Sequence, residues 1–188
     1  MPARRAMETR RDRRRRALRW ILGYAALCVA LGLLTGVLWA RITPLATYQV
    51  AADASASMPE RQLVEIVAGD AYFVMIGFVV GLGLGVIGWR WLGRLGWTSV
   101  LITVLGVSLT ALMCFLVGGI LGPHDFESRL AAARPGDRVP IDLTLRTPIA
   151  FLAWAFGGVI PLLLASSLVR DPEEPRPLLP RRAARSGR

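Results

Sequence analysis

Long apolar runs alternate with polar stretches along this chain, and four of the runs carry no charged residue. They cover residues 20–40, 71–89, 97–121 and 148–169. A hydrocarbon core about 30 Å thick takes ~20 helical residues to cross, so each run predicts one transmembrane helix. Open sheets are excluded in lipid, because their edge N–H and C=O groups would stay unpaired. The pattern predicts an all-α membrane fold: a four-transmembrane-helix bundle over residues 20–169, with outer loops at 41–69 and 122–147.

The loops carry patterns of their own. Ala46–Val50 has strand character. Ser57, Pro59 and Glu60 read as a helix start with a capping box. Leu63, Ile66 and Val67 continue it at helical spacing into span two, with a bend expected at Gly69. In the second loop Pro123 opens a short helix with Phe126, Leu130 and Ala133 on one face. Arg134-Pro135-Gly136-Asp137 predicts a turn, since Pro presets the second position and Gly supplies positive φ at the third. Val139, Ile141, Leu143 and Leu145 then alternate with polar positions and predict a strand over 139–145 that Pro140 starts or edges. A half-buried strand needs a backbone partner, and the other strand-like stretch on that side is 46–50. The two loops are therefore expected to form a small extracytoplasmic cap containing a short two-stranded β pair.

Charge sets the orientation. Of the 188 residues 54% are apolar, yet the formal charge is +10, and all 23 basic residues are arginine. Seventeen arginines lie in residues 1–19, in the hairpin with Arg90 and Arg94, and in 170–188. Six lie on the opposite side: Arg41, Arg61, Arg129, Arg134, Arg138 and Arg146. Positive loops stay inside, so both termini are expected in the cytoplasm and the protein in the plasma membrane as a multi-pass chain. Trp20, Trp39, Trp89, Trp91 and Trp97 stand at run ends, as an aromatic belt would. The first run is longer than a signal-peptide core, and the nearest small-x-small site, Ala54–Ala56, lies far beyond it, so it reads as a retained span. Residues 1–19 and 170–188 are too polar to build a core and are expected to be disordered tails. Their partner is expected to be the bilayer, with anionic lipid at the arginine-rich tails, and not nucleic acid. Pro172, Pro175, Pro177 and Pro180 hint at a proline-recognition ligand.

Gly77, Gly81 and Gly85 recur every four residues in span two, as do Gly32 and Gly36 in span one. Such spacing lets helix backbones approach closely. Packing inside the bundle is the simpler reading, and a homodimer face is the other. Gly157, Gly158 and Pro161 should bend span four.

Candidate chemistry is sparse. Cys28 and Cys114 fall inside apolar runs and read as packing residues. His124 has Asp125 and Glu127 nearby but no partner at metal-ligand spacing, so no metal or cofactor is expected. No ionisable residue stands at mid-membrane, which removes the usual pointer to ion translocation. One candidate polar site remains at the outer mouth. Asp70 opens span two, Arg41 ends span one, and Arg146 precedes span four at similar depth. An ion pair there is structural on one reading and a ligand or proton site on the other.

Several features together resemble an actinobacterial family. Leu38-Trp39 closes span one and Pro44 follows, Asp70 and Phe73 open span two, and Leu121-Gly122-Pro123 closes span three. Gly136, Pro140 and Leu143 precede a fourth span carrying Trp154. From about Gly36 to Pro172 the chain resembles the membrane-protein family catalogued as domain of unknown function 2567. The resemblance implies a four-helix protein of the actinobacterial cell envelope and no particular activity. Sequence and resemblance together lead to a non-enzymatic envelope component or accessory subunit that binds another membrane protein or lipid through its outer loops. The alternative is a small transporter or channel subunit, and a membrane enzyme using outer carboxylates ranks last.

Overall fold

The computed structural model describes residues 2–51, 55–57 and 59–168. Among the described residues five α-helices and three strands follow one another: α1 (Pro2–Ile42), β1 (Thr47–Val50), β2 (Ala56–Ser57), α2 (Ala68–Leu92), α3 (Thr98–Leu121), α4 (Phe126–Ala131), β3 (Arg138–Pro140) and α5 (Ala150–Leu168). Four of them, α1, α2, α3 and α5, are long and apolar enough to cross a membrane. Their outward faces carry exposed Leu34, Val79, Leu105, Ile120, Phe156 and Leu164, side chains that lipid solvates and water does not.

The helices begin and stop where local chemistry directs. The α2–α3 hairpin turns through Gly93–Leu95 to Gly96, whose φ of +63° suits a residue without a side chain. The Ser99 hydroxyl then donates to the Gly96 carbonyl at 2.7 Å. Pro123 follows α3 and brings no N–H with which to continue it. At the other end of the chain the structure departs from expectation. Residues 2–19 continue α1 as helix where disorder was predicted. Arg, Ala, Met and Glu are all good helix formers, and the span supplies the costly nucleus, so the helix propagates without a core of its own. The predicted C-terminal tail, 170–188, and Val169 lie outside the described residues.

Contacts between the helices fix their directions. Trp39 and Tyr24 of α1 meet Gly69 and Leu84 of α2, an antiparallel order. Gly32 and Gly36 of α1 face Thr110, Met113, Cys114 and Val117 of α3, a parallel order. Gly77, Gly81 and Gly85 of α2 face Trp154, Gly158 and Pro161 of α5, also parallel. The tightest neighbours are thus α1 with α3 and α2 with α5, and helices adjacent in sequence pack less closely. A Cβ on Gly81 would stand 2.5 Å from the Trp154 carbonyl oxygen, and one on Gly36 2.7 Å from Val117 Cβ. The repeats therefore face partners within this chain. Pro161 sits inside a continuous α5.

Beneath the two long loops the interior is aromatic. Phe73 lies 5.3 Å from each of Trp39, Phe151 and Trp154, ring centre to ring centre. Such pairs contribute about 0.5–1.5 kcal/mol each beyond their buried area. Trp39 is a correction to the aromatic belt: it is fully buried, whereas Trp20, Trp89, Trp91 and Trp97 are exposed. Its ring lies over Gly118 of α3, where no side chain stands in the way.

The loops at 41–69 and 122–147 meet in one antiparallel sheet ordered β2-β1-β3. Tyr48 pairs with Val139 and Thr47 with Pro140, so the two loops are joined as expected. Three details differ. The sheet has a third strand, because Ala56–Ser57 pairs with Val50 and Gln49. Ser57 consequently caps nothing: the following segment, Glu60–Val67, is a 3-10 helix whose cap residue is Pro59, without a side-chain hydrogen bond. It runs straight into α2, so the change of geometry falls at Val67–Ala68 rather than at Gly69. Finally, β3 stops at Pro140, not at 145. Beyond it the Ile141 N–H reaches the Ala46 carbonyl, and the Leu143 N–H must turn to the Pro123 carbonyl. Leu143 remains buried like Val139, so the alternation records burial after the ladder has run out. The Arg134–Asp137 turn forms with Gly136 at φ +96°.

Gly81→Leu should destabilise the bundle by about 3 kcal/mol, since α2 and α5 must separate to admit it. Gly83→Leu points a side chain into open space and should change stability by less than ~0.5 kcal/mol. Thermal unfolding of both variants in detergent checks the pair, and equal effects would refute the packing assignment.

Candidate functional site beneath the loop cap

Asp70 occupies the first turn of α2, which continues the 3-10 helix Glu60–Val67 without a break, the Ala68 N–H donating to the Glu65 carbonyl. Its Oδ1 accepts the backbone N–H of Arg146 at 3.0 Å. Its Oδ2 is buried with no hydrogen-bond partner. Among the described residues no ion pair joins Asp70 to Arg41 or to Arg146, and both arginines are exposed. The sequence brought three charges to one depth, but the contact is between a carboxylate and main chain. The reason is the path of residues 143–146, which pass over the start of α2 and present backbone to it. A Cβ on Gly69 would stand 3.6 Å from the Thr144 carbonyl oxygen. Arg41 lies in the last turn of α1, where a cation suits the free carbonyl end of the helix.

The same end of α2 is tied a second time. The Trp39 indole N–H donates to the Gly69 carbonyl at 2.9 Å, inside the protein. Asp70 therefore sits on the rim of the aromatic cluster, one turn above Phe73. Chemically this is a single carboxylate with one oxygen committed and one free to accept. It fixes the entry to α5 against α2.

A second network was not visible in the sequence. Arg129 of α4 donates through Nε to the His124 carbonyl at 2.8 Å and through Nη1 to the Pro140 carbonyl at 3.0 Å. Its Nη2 meets Asp142 Oδ1 at 2.7 Å. Asp142 Oδ2 accepts the Phe126 N–H at 3.3 Å. One guanidinium thereby binds the start of α4 to the end of β3, closing the second loop on itself. No periodicity links positions 129 and 142, so only the turn between them reveals the pair. In the first loop Gln62 Oε1 plays the matching part, accepting from the Thr47 N–H at 2.6 Å and the Thr47 hydroxyl at 3.0 Å. Tyr48 and Phe126 then touch across the loops with ring centres 5.2 Å apart.

His124 and Asp125 stand 4.0 Å apart with both side chains exposed. Among the described residues no three His, Cys, Asp or Glu side chains gather. Cys28 and Cys114 are buried between helices, and the Thr110 hydroxyl donates to the Cys28 carbonyl at 3.1 Å.

No family model, no curated protein and no solved structure matches this chain.

Asp70→Asn keeps an acceptor oxygen and removes the charge, whereas Asp70→Leu removes both. If Asp70 is a structural acceptor, Asn should cost less than ~1 kcal/mol and Leu about 1–3 kcal/mol. Thermal unfolding in detergent separates them. A loss with Asn as large as with Leu would show that the negative charge itself is required.

Proposed function

We infer that this chain is a multi-pass protein of the plasma membrane with both termini in the cytoplasm. It acts as a non-enzymatic envelope component or accessory subunit, and its outer cap is the surface that meets a partner protein or lipid. The observation that carries this reading is the ordered cap itself. Two loops from different halves of the chain are joined by β1 and β3, stapled by Arg129 and by Gln62, and fixed to the span ends at Asp70 and Trp39. A connector between spans has no need of such order, and a presented surface does. The arginine asymmetry supports the orientation. The resemblance to the actinobacterial four-helix family agrees with an envelope setting.

Transport is the rival reading, and the bundle interior argues against it. From the loop end to the opposite end it is filled by Trp39, Phe73, Trp154, Leu84, Val107 and Leu92, all essentially inaccessible. The buried hydroxyls of Thr35 and Thr110 are spent on backbone carbonyls.

Single cysteines test the topology in a background lacking Cys28 and Cys114. Ser57→Cys and Ser128→Cys should react with an impermeant reagent on intact cells, and Ser186→Cys should not. External labelling at position 186 would overturn the orientation. Gentle purification from the native membrane tests the accessory role. A stoichiometric partner is expected, and a lone oligomer would shift the reading to transport.

A further inference from the structure

The end of the bundle opposite the cap carries a charged feature of its own. α1 leaves its span through Arg19, Arg16 and Arg15, all exposed, which with Leu18 line an open depression on the helix flank. Trp20 touches Trp91 of α2, with ring centres 5.5 Å apart. That contact holds this part of α1 against the last turn of α2, whose basic residue is Arg90, also exposed. Among the described residues none of these four arginines has an acidic partner.

Guanidinium groups from two helices thus flank a tryptophan pair where the chain leaves its apolar stretch. Guanidinium forks match phosphate oxygens, and indoles settle at headgroup depth. Leu18, among these arginines, and Leu22, one turn further into the span, are exposed and lead into the apolar flank of α1. Acyl chains have a surface there that a free anion would not use. We propose that Arg16, Arg19 and Arg90, with the Trp20–Trp91 pair, bind the phosphate of an anionic phospholipid headgroup. The site rests on the reading above that these helices cross a membrane, and it sharpens a general attraction of the tail into a two-helix site.

The full-length protein in neutral detergent, titrated with phosphatidylglycerol or phosphatidylcholine and followed by native mass spectrometry, tests it. Phosphatidylglycerol should be retained preferentially, and millimolar inorganic phosphate should not displace it. Arg90→Ala should weaken retention about fivefold, the equivalent of ~1 kcal/mol for one basic residue at a membrane surface. The triple variant R16A/R19A/R90A should lose at least about tenfold, and the outer pair R134A/R138A nothing. Unchanged melting in lipid-free detergent establishes that each variant is folded. Equal retention of the two lipids, displacement by phosphate, or an Arg90→Ala variant that binds normally would overturn the site. Binding in detergent does not depend on orientation. External labelling at position 186 would therefore sink the topology alone, and loss of lipid preference with position 186 internal would sink the site alone.

Discussion

Lipid tails are as apolar as leucine, so burying leucine between two spans gains almost nothing over leaving it in the bilayer. What remains to hold helices together is contact at short range, and contact at short range requires small residues. The Gly77, Gly81 and Gly85 face brings α2 onto the backbone of α5, and Gly32 and Gly36 do the same for α1 on α3. The large side chains then find their places in what the glycines leave open: Trp154 over Gly77, and Trp39 over Gly118. Phe73 fits between these two indoles.

The cap formed by the two long loops depends on that arrangement. Trp39 reaches the Gly69 carbonyl because α1 and α2 are fixed at the depth their neighbours impose. Once the start of α2 is fixed, Asp70 can hold the backbone of Arg146, and residues 143–146 are fixed in turn. Leu143 closes this layer from above, seated where Gly122 has no side chain. The cap is therefore continuous with the bundle through buried contacts at Gly69 and Gly122.

What could be read from the sequence follows from which signals are local. Span lengths, the glycine period and the Arg134–Asp137 turn each depend on a few neighbouring residues, and all appear in the structure. The pairing of β1 with β3 was legible by elimination, since each needed a partner for its backbone. Failures came where a competing partner decided. Ser57 had the chemistry of a helix cap but was taken by β1 as a third strand. The alternation over 139–145 was real, but Leu143 had only the Pro123 carbonyl to meet. Trp39 looked interfacial because its position at a run end says nothing about which way an indole turns. For Asp70 the sequence supplied charges at one depth, and the fold offered it a peptide N–H.

The parallel pairing of spans bears on how this protein is made. Ribosomes deliver α1 and α2 first, yet the close partner of α1 is α3, and that of α2 is α5. Contacts of the first hairpin are limited to a few points such as Tyr24 against Leu84 and Trp39 against Gly69. Through most of synthesis the grooves at Gly32, Gly36, Gly77, Gly81 and Gly85 face lipid or whatever other helix is nearby. The last span closes the interleaved set, so a chain released before α5 would expose an adhesive glycine face on α2. Quality control in the membrane would have that face to recognise.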